Sequence, residues 1–125
     1  MTPPDRERLV KAWLTYQKNW WAYEALMTLW RESPDEALDV IIDLTQSADD
    51  DDLIEAVGAG PLEDLVREHG ASMIDAIEMR AKSDVRFRQA LSHVWIAKED
   101  ATSPIGRRYI ALGCKPVGAD HGSDA

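Results

Sequence analysis

The chain has 125 residues, 45% of them hydrophobic and 30% charged, and its formal net charge is −9. This length and composition predict one soluble globular domain with a core of its own. The excess of acids argues against nucleic acid and anionic membranes as partners, because both attract cationic proteins.

Several cellular settings are disfavoured by local features of the sequence. No apolar run is long enough to predict a membrane-spanning helix, and the first residues lack the basic-then-apolar order of a secretion signal. A single cysteine, Cys114, excludes an intramolecular disulfide framework and a multi-cysteine zinc site. These observations together predict a cytoplasmic protein.

Apolar residues recur at helical spacing along nearly the whole chain, and no run alternates as a strand would. The first apolar stripe, from Leu9 to Trp30, advances in steps of four and three residues. This stripe fits one long helix or two helices, and we favour two, with a break near Lys18-Asn19 where asparagine can cap the second.

Serine, proline and glycine divide the rest of the chain into shorter predicted helices. Ser or Asp before a helix caps its amino end, proline suits its first turn, and glycine follows its last. The predicted starts are Ser33, Asp49, Pro61, Ser72, Ser83 and Ser103, and the predicted ends are Ser47, Gly58, Gly70 and Gly113.

The predicted fold is therefore all-α. It has six to eight short antiparallel helices in a HEAT-like or irregular helical bundle over residues 1–114, followed by a flexible C-terminal tail over 115–125. The HEAT-like alternative depends on helix starts that recur about every 25 residues.

One stretch in the middle of the chain is distinctive. Gly58-Ala59-Gly60-Pro61-Leu62-Glu63-Asp64-Leu65, followed by His69-Gly70, resembles a family of small bacterial proteins classed as a domain of unknown function. The resemblance extends from about Trp21 to Trp95. It implies an all-α fold and carries no activity. Further similar segments are Trp21-Ala22-Tyr23-Glu24, Pro34-Asp35-Glu36-Ala37 and Phe87-Arg88-Gln89-Ala90-Leu91.

The charge is unevenly distributed along the chain. Residues 32–66 hold twelve of the 23 acids, whereas all 14 lysines and arginines lie outside this window. Helical spacing places Asp35, Asp39 and Asp43 in one outward row, and Asp49 to Asp52 follow it. Like charges four residues apart destabilise a helix slightly, and an acidic face attracts basic partners.

The leading functional hypothesis is a non-enzymatic protein–protein interaction module that binds a basic protein surface. An immunity protein against a toxin, or an inhibitor of a nucleic-acid-processing enzyme, would have this charge and size. We expect no catalytic residue, cofactor or metal. The expected partner-binding residues are Trp21, Asp35, Asp39, Asp43, Asp49, Asp50, Asp51 and Asp52.

Two alternatives stay open at this point. The first is a metal-dependent or other enzyme with a site near the Gly60–His69 turn, in which Glu24 or Glu63 would join His69. The second is a homodimeric helical scaffold joined through the tryptophan-rich first helices, so that the protein would be a monomer or a homodimer.

Overall fold

The computed structural model describes residues 2–15 and 20–118. Most of them are helical, which confirms the all-α prediction. The helices are α1 (Pro3–Leu14), α2 (Trp20–Glu32), α3 (Pro34–Ser47), α4 (Asp51–Val57), α5 (Glu63–Ser83), α6 (Val85–Leu91) and α7 (Pro104–Ala111). A π-helical turn, Gly58–Leu62, joins α4 to α5, and two short strands, β1 (Trp95–Ile96) and β2 (Lys115–Pro116), pair in parallel.

The first apolar stripe is shared between two helices. Helix α1 ends at Leu14 and α2 begins at Trp20, which confirms the predicted break. The asparagine expected to cap the second helix lies outside the described residues. The stripe contributes Leu9, Trp13 and Trp30 to the core.

Helix α3 is the central element of the core. It packs against α1, α2, α4, α5 and α6, and seven of its residues are buried. Its predicted start after Ser33 is confirmed, although the Ser33 side chain makes no capping hydrogen bond. At its carboxyl end, the Arg86 guanidinium donates to the carbonyl oxygens of Thr45, at 2.8 Å, and Ala48. These contacts satisfy carbonyl groups that the end of a helix leaves without partners.

The predicted helix ends at Gly58 and Gly70 are confirmed only in part: α4 ends at Val57 with Gly58 as its C-cap and α5 is kinked at His69, but the helical path of the chain continues past both positions. At Gly58 the backbone stays right-handed helical (φ −65°, ψ −49°) and continues through the π-helical turn, which contains Pro61. Gly70 lies inside α5, as does Ser72, which the sequence predicted as a helix start. Gly58 is needed for close packing, because a Cβ there would overlap the Ala90 carbonyl group, whereas a Cβ at Gly70 would make only an ordinary van der Waals contact with Tyr109.

Helix α6 begins one residue later than the sequence predicted. Its N-cap is Asp84, not Ser83, and the Asp84 carboxylate accepts the Phe87 N–H at 3.0 Å. The side-chain amide nitrogen of Gln46 also donates to both oxygens of this carboxylate, at 2.9 and 2.8 Å, and Arg80 Nε lies 3.2 Å from it. A buried carboxylate is tolerated here because these donors replace the hydrogen bonds to water that it loses on burial.

The end of the described chain contains the β-strands, which the sequence did not predict. Ser103 caps α7 and Gly113 ends the following turn with φ +111°, both as predicted. The Lys115 N–H then donates to the Val94 carbonyl and the Val117 N–H to the Ile96 carbonyl, each at 2.9 Å. Residues 115–117 thus pair with β1, although they fall in the predicted tail, and residues 119–125 lie outside the described residues.

Candidate functional site

Asp35, Asp39 and Asp43 form an acidic row on the outer side of α3. Asp35 and Asp39 are exposed and Asp43 is half-buried, while the opposite side of α3 is buried against its neighbours. At the helical rise of 1.5 Å per residue, it extends over about 12 Å. The periodicity of the sequence therefore predicted this row correctly as an outward one.

In the folded protein, a basic side chain from another helix contacts the acidic row. Arg6 of α1 donates through Nε to Asp43 Oδ2, at 2.6 Å, and through its terminal nitrogen to the Asp39 carbonyl oxygen, at 3.3 Å. The hydrogen bond that Arg6 donates to Asp43, together with the charges of Asp43, Asp39 and Glu36, raises the pKa of Arg6. Asp35 and the Asp39 carboxylate have no ion-pair partner among the described residues.

The acids from Asp49 to Asp52 begin α4. Asp50 is its N-cap and accepts the Leu53 N–H at 2.9 Å, and Asp51 accepts the Gln89 side-chain amide at 3.0 Å. Asp49 and Asp52 are exposed, and within residues 2–15 and 20–118 neither forms an ion pair. Half of this group therefore stabilises local structure, and Asp49 and Asp52 are available to a partner.

Trp21 lies on α2, away from the acids that the sequence grouped with it. Trp21 is 45% exposed, and the centre of its ring lies 5.6 Å from the Arg8 guanidinium carbon. In the described part of the chain, no hydrogen bond, ion pair or ring contact joins Trp21 to the acidic row. The structure thus keeps it exposed but does not bring it together with the acids.

A kink in α5 forms one wall of a second candidate site. His69 has φ −132° and ψ 24°, outside the helical range, while the chain on both sides is helical. Tyr109 of α7 donates its hydroxyl to the Gly70 carbonyl at 2.7 Å, and Ser72 donates to the His69 carbonyl at 3.1 Å. These bonds satisfy carbonyl groups close to the interruption. A Cβ on residue 70 would lie 3.4 Å from the Tyr109 ring, which is an ordinary van der Waals contact.

The kink faces a cleft of about 600 Å³ between α5, β1, the turn before α7, and α7 itself. Its apolar lining includes Val66, Trp95, Ile96, Ile105 and Tyr109. Trp95 is 37% exposed on this lining. We refer to this space as the α5–α7 cleft.

The α5–α7 cleft is lined by more acidic than basic side chains. Its lining has three carboxylates, Glu63, Glu68 and Asp100, and one guanidinium, Arg67. Glu63 accepts the Trp95 N–H at 2.8 Å and lies 3.8 Å from Arg67, which also pairs with Asp64. The charge of Arg67 is therefore already compensated, and the cleft is acidic overall.

A model of a family of unknown function, DUF6869, matches residues 11–112. The chain belongs to this family. The sequence resemblance to a helical family of unknown function is thus confirmed at the level of the family. No curated protein and no solved structure matches the chain. The HEAT-like arrangement of this DUF6869 member therefore stays a prediction.

For the enzyme alternative, the described part of the DUF6869 chain offers a cleft in the predicted region but no set of metal ligands. The α5–α7 cleft borders the segment near Gly60–His69 that the sequence singled out. Among residues 2–15 and 20–118, however, no three His, Cys, Asp or Glu side chains are grouped in a way that could hold a metal ion. Asp100 and Trp95, distant in sequence, complete the cleft, and no sequence signal pointed to them.

Two further features of this DUF6869 member bear on its chemistry. Cys114 is buried, and burial raises the pKa of its thiol to about 12, so it is a poor nucleophile at neutral pH. In the part of the chain that the structure describes, no helix has both the length and the apolar character required to cross a membrane.

Proposed function

We propose that this protein is a non-enzymatic interaction module whose acidic row, together with Asp49 and Asp52, binds a basic surface on another protein. The contact between Arg6 and Asp43 carries the proposal. It is an example, within the chain, of a guanidinium bound against the row by a carboxylate at 2.6 Å and a neighbouring carbonyl oxygen. An arginine of a partner would find the same two groups one helical turn earlier, in the Asp39 carboxylate and the Asp35 carbonyl oxygen.

The pairing of charges supports this proposal. In the acid-rich window, the ion pairs of the described residues involve Asp43, Glu63 and Asp64. Asp35, Asp39, Asp49 and Asp52 form none, although the chain has 14 basic residues. Since unneutralised like charges oppose folding slightly, a basic partner would relieve a repulsion that the fold itself leaves in place.

The partner proposed here presents a basic cleft, such as a toxin or a nucleic-acid-processing enzyme that binds phosphates. The protein would then act as an immunity protein or as an inhibitor that occupies the cleft in place of nucleic acid. An acidic face also accelerates encounter with such a partner at low ionic strength. We place the interaction in the cytoplasm, because a chain with one cysteine requires no oxidising compartment.

The test reverses charge where no internal ion pair is lost. Asp35→Lys/Asp39→Lys changes two exposed acids, whereas reversing Asp43 would also break its pair with Arg6. The matched control, Glu24→Lys/Glu99→Lys, makes the same change in net charge at two exposed positions outside the acid-rich window. Each protein is used as bait at about 0.05 M and about 0.5 M salt, and the captured proteins are quantified by mass spectrometry.

We expect a basic protein to be captured by the wild type and by the control at low salt, and to be lost with Asp35→Lys/Asp39→Lys or at high salt. Circular dichroism must show the same helix content in all three proteins. Capture that is equal for the wild type and the reversed row would contradict the proposal. Trp21→Ala, tested alongside, shows whether the exposed indole adds to the same interface.

A further inference from the structure

We propose that the α5–α7 cleft is a binding site for a small organic cation that has an apolar body, such as an aromatic amidine or ammonium compound. The proposal concerns a different surface from the acidic row and does not depend on the proposed function. It is based on the size of the cleft, the fixed position of its walls, and the charge of its lining.

The cleft has the dimensions and composition of a small-molecule site. Ligand pockets usually have volumes of about 300 to 1,000 Å³ and apolar walls with a few convergent polar groups. The α5–α7 cleft has about 600 Å³, with Val66, Ile96 and Ile105 among its apolar residues. Trp95 is exposed enough to offer aromatic surface to a flat ligand, and Lys115 Nζ lies 5.9 Å from the centre of its ring, whereas Tyr109 is buried.

Specific contacts hold the walls of the cleft in place. The Tyr109 hydroxyl joins α7 to the kink of α5 through Gly70, and the Glu63 carboxylate joins α5 to the start of β1. Arg108 adds an ion pair to Asp75 at 2.7 Å, again between α7 and α5. A cavity that is fixed before binding loses less conformational entropy when a ligand enters it.

The charge of the lining selects a cation. Glu68 and Asp100 have no hydrogen-bond or ion-pair partner for their carboxylates among the described residues, whereas Arg67 is engaged by Glu63 and Asp64. An anionic ligand would meet three carboxylates and a guanidinium that is already paired. A ligand with a positive head and an apolar body would place its charge near Glu68 and Asp100 and its body against Trp95.

An experiment with three probes of nearly the same shape tests the role of charge. Benzamidine is cationic, benzamide is neutral and benzoate is anionic, so differences between them report the electrostatics of the site. Binding to the full chain is followed by isothermal titration calorimetry and by the indole resonances in NMR spectra. We expect saturable binding of benzamidine that perturbs the Trp95 indole, with benzamide about tenfold weaker and benzoate weaker still.

Variants then assign binding to the cleft. Glu68→Gln/Asp100→Asn should weaken benzamidine about tenfold, and Ala71→Trp, which adds bulk at an exposed position of the lining, should abolish binding. The control Asp35→Asn/Asp39→Asn removes the same charge from the acidic row and should bind benzamidine as the wild type does.

Three results would each overturn the proposal. They are the absence of saturable benzamidine binding, equal binding of benzamide or benzoate, and unchanged affinity in Glu68→Gln/Asp100→Asn. Loss of binding in the acidic-row control would also overturn it, because the ligand would then respond to net charge and not to the cleft. Failure of the acidic row to capture a protein partner would leave these binding results unaffected.

Discussion

Replacing Gly58 by alanine tests why a glycine stands between α4 and α5. The sequence predicted a helix end at this position, which would require conformational freedom. In the structure Gly58 is right-handed helical and lies against the end of α6. An added Cβ would lie 2.9 Å from the Ala90 carbonyl carbon and 3.1 Å from the His93 Cβ, and it would overlap the Ala90 carbonyl oxygen.

The expected loss of stability combines two opposing effects. Alanine is favoured over glycine in a helix by about 1 kcal/mol, which would stabilise the variant. Overpacking in a filled core costs about 1–3 kcal/mol, and the upper value applies because the obstacle is a backbone carbonyl group that cannot rotate away. The free energy of unfolding should therefore fall by about 2 kcal/mol, which corresponds to a decrease in Tm of roughly 8 °C for a domain of this size.

Gly60→Ala is the matched control, two residues away in the same π-helical turn. Apart from its chain neighbours, no atom lies within 4 Å of a Cβ built at Gly60, and its φ is not positive. This variant should be within about 1 kcal/mol of the wild type, because the higher helix propensity of alanine is opposed by the Pro61 ring, which disfavours a Cβ on the preceding helical residue. Urea denaturation followed by circular dichroism measures both variants. If Gly58→Ala were as stable as Gly60→Ala, close packing against α6 would not be the reason for Gly58.

Three other changes test single contacts. Asp84→Ala should lower the free energy of unfolding by about 2 kcal/mol in urea denaturation, since it removes the helix cap and leaves the buried Phe87 N–H without an acceptor. Tyr109→Phe should cost about 1 kcal/mol by the same measurement, since only the hydrogen bond to Gly70 is lost; an unchanged stability would contradict that role. Because burial raises the pKa of Cys114 to about 12, its thiol should react with a disulfide reagent at pH 8 only as fast as the chain opens, and rapid reaction of the native protein would refute its burial.

Features set by neighbouring residues could be predicted from the sequence. Ser103 accepts the Gly106 N–H three residues later, and Pro34 occupies the first turn of α3, so these starts depend on a few consecutive residues. The outward row on α3 follows in the same way from the helical period. The positive φ of Gly113 was predictable because a helix end commonly requires it.

Features set by distant residues could not be predicted. The sequence placed an interruption at His69-Gly70, but the hydrogen bond that Tyr109 donates there comes from 39 residues away, and the ion pair of Asp43 is made by Arg6, 37 residues away. A glycine in a sequence can provide either conformational freedom or space for a neighbouring group, and the sequence alone does not distinguish the two roles. The sequence analysis interpreted Gly58 and Gly70 as helix ends. Two-residue strands, for their part, are too short to show an alternating pattern.

The distinctive central stretch of the sequence acts mainly in folding, and this separates it from the two candidate sites. Leu62 and Leu65 are fully buried, and Glu63 fixes the start of β1 through the Trp95 N–H. Glu68, five residues later on the same helix, also lines the α5–α7 cleft but holds no other part of the chain.

Alanine at these two glutamates should therefore have different effects. Glu63→Ala removes the only acceptor that the structure gives the Trp95 N–H within the described residues, and it should lower the free energy of unfolding by about 1 kcal/mol. Glu68→Ala should change it by less than about 0.5 kcal/mol, as is usual for an exposed side chain without partners, and should weaken only the binding of a cation. Urea denaturation of both variants tests this difference. Equal losses of stability would mean that Glu68 also supports the fold, and the case for its role in binding would then be lost.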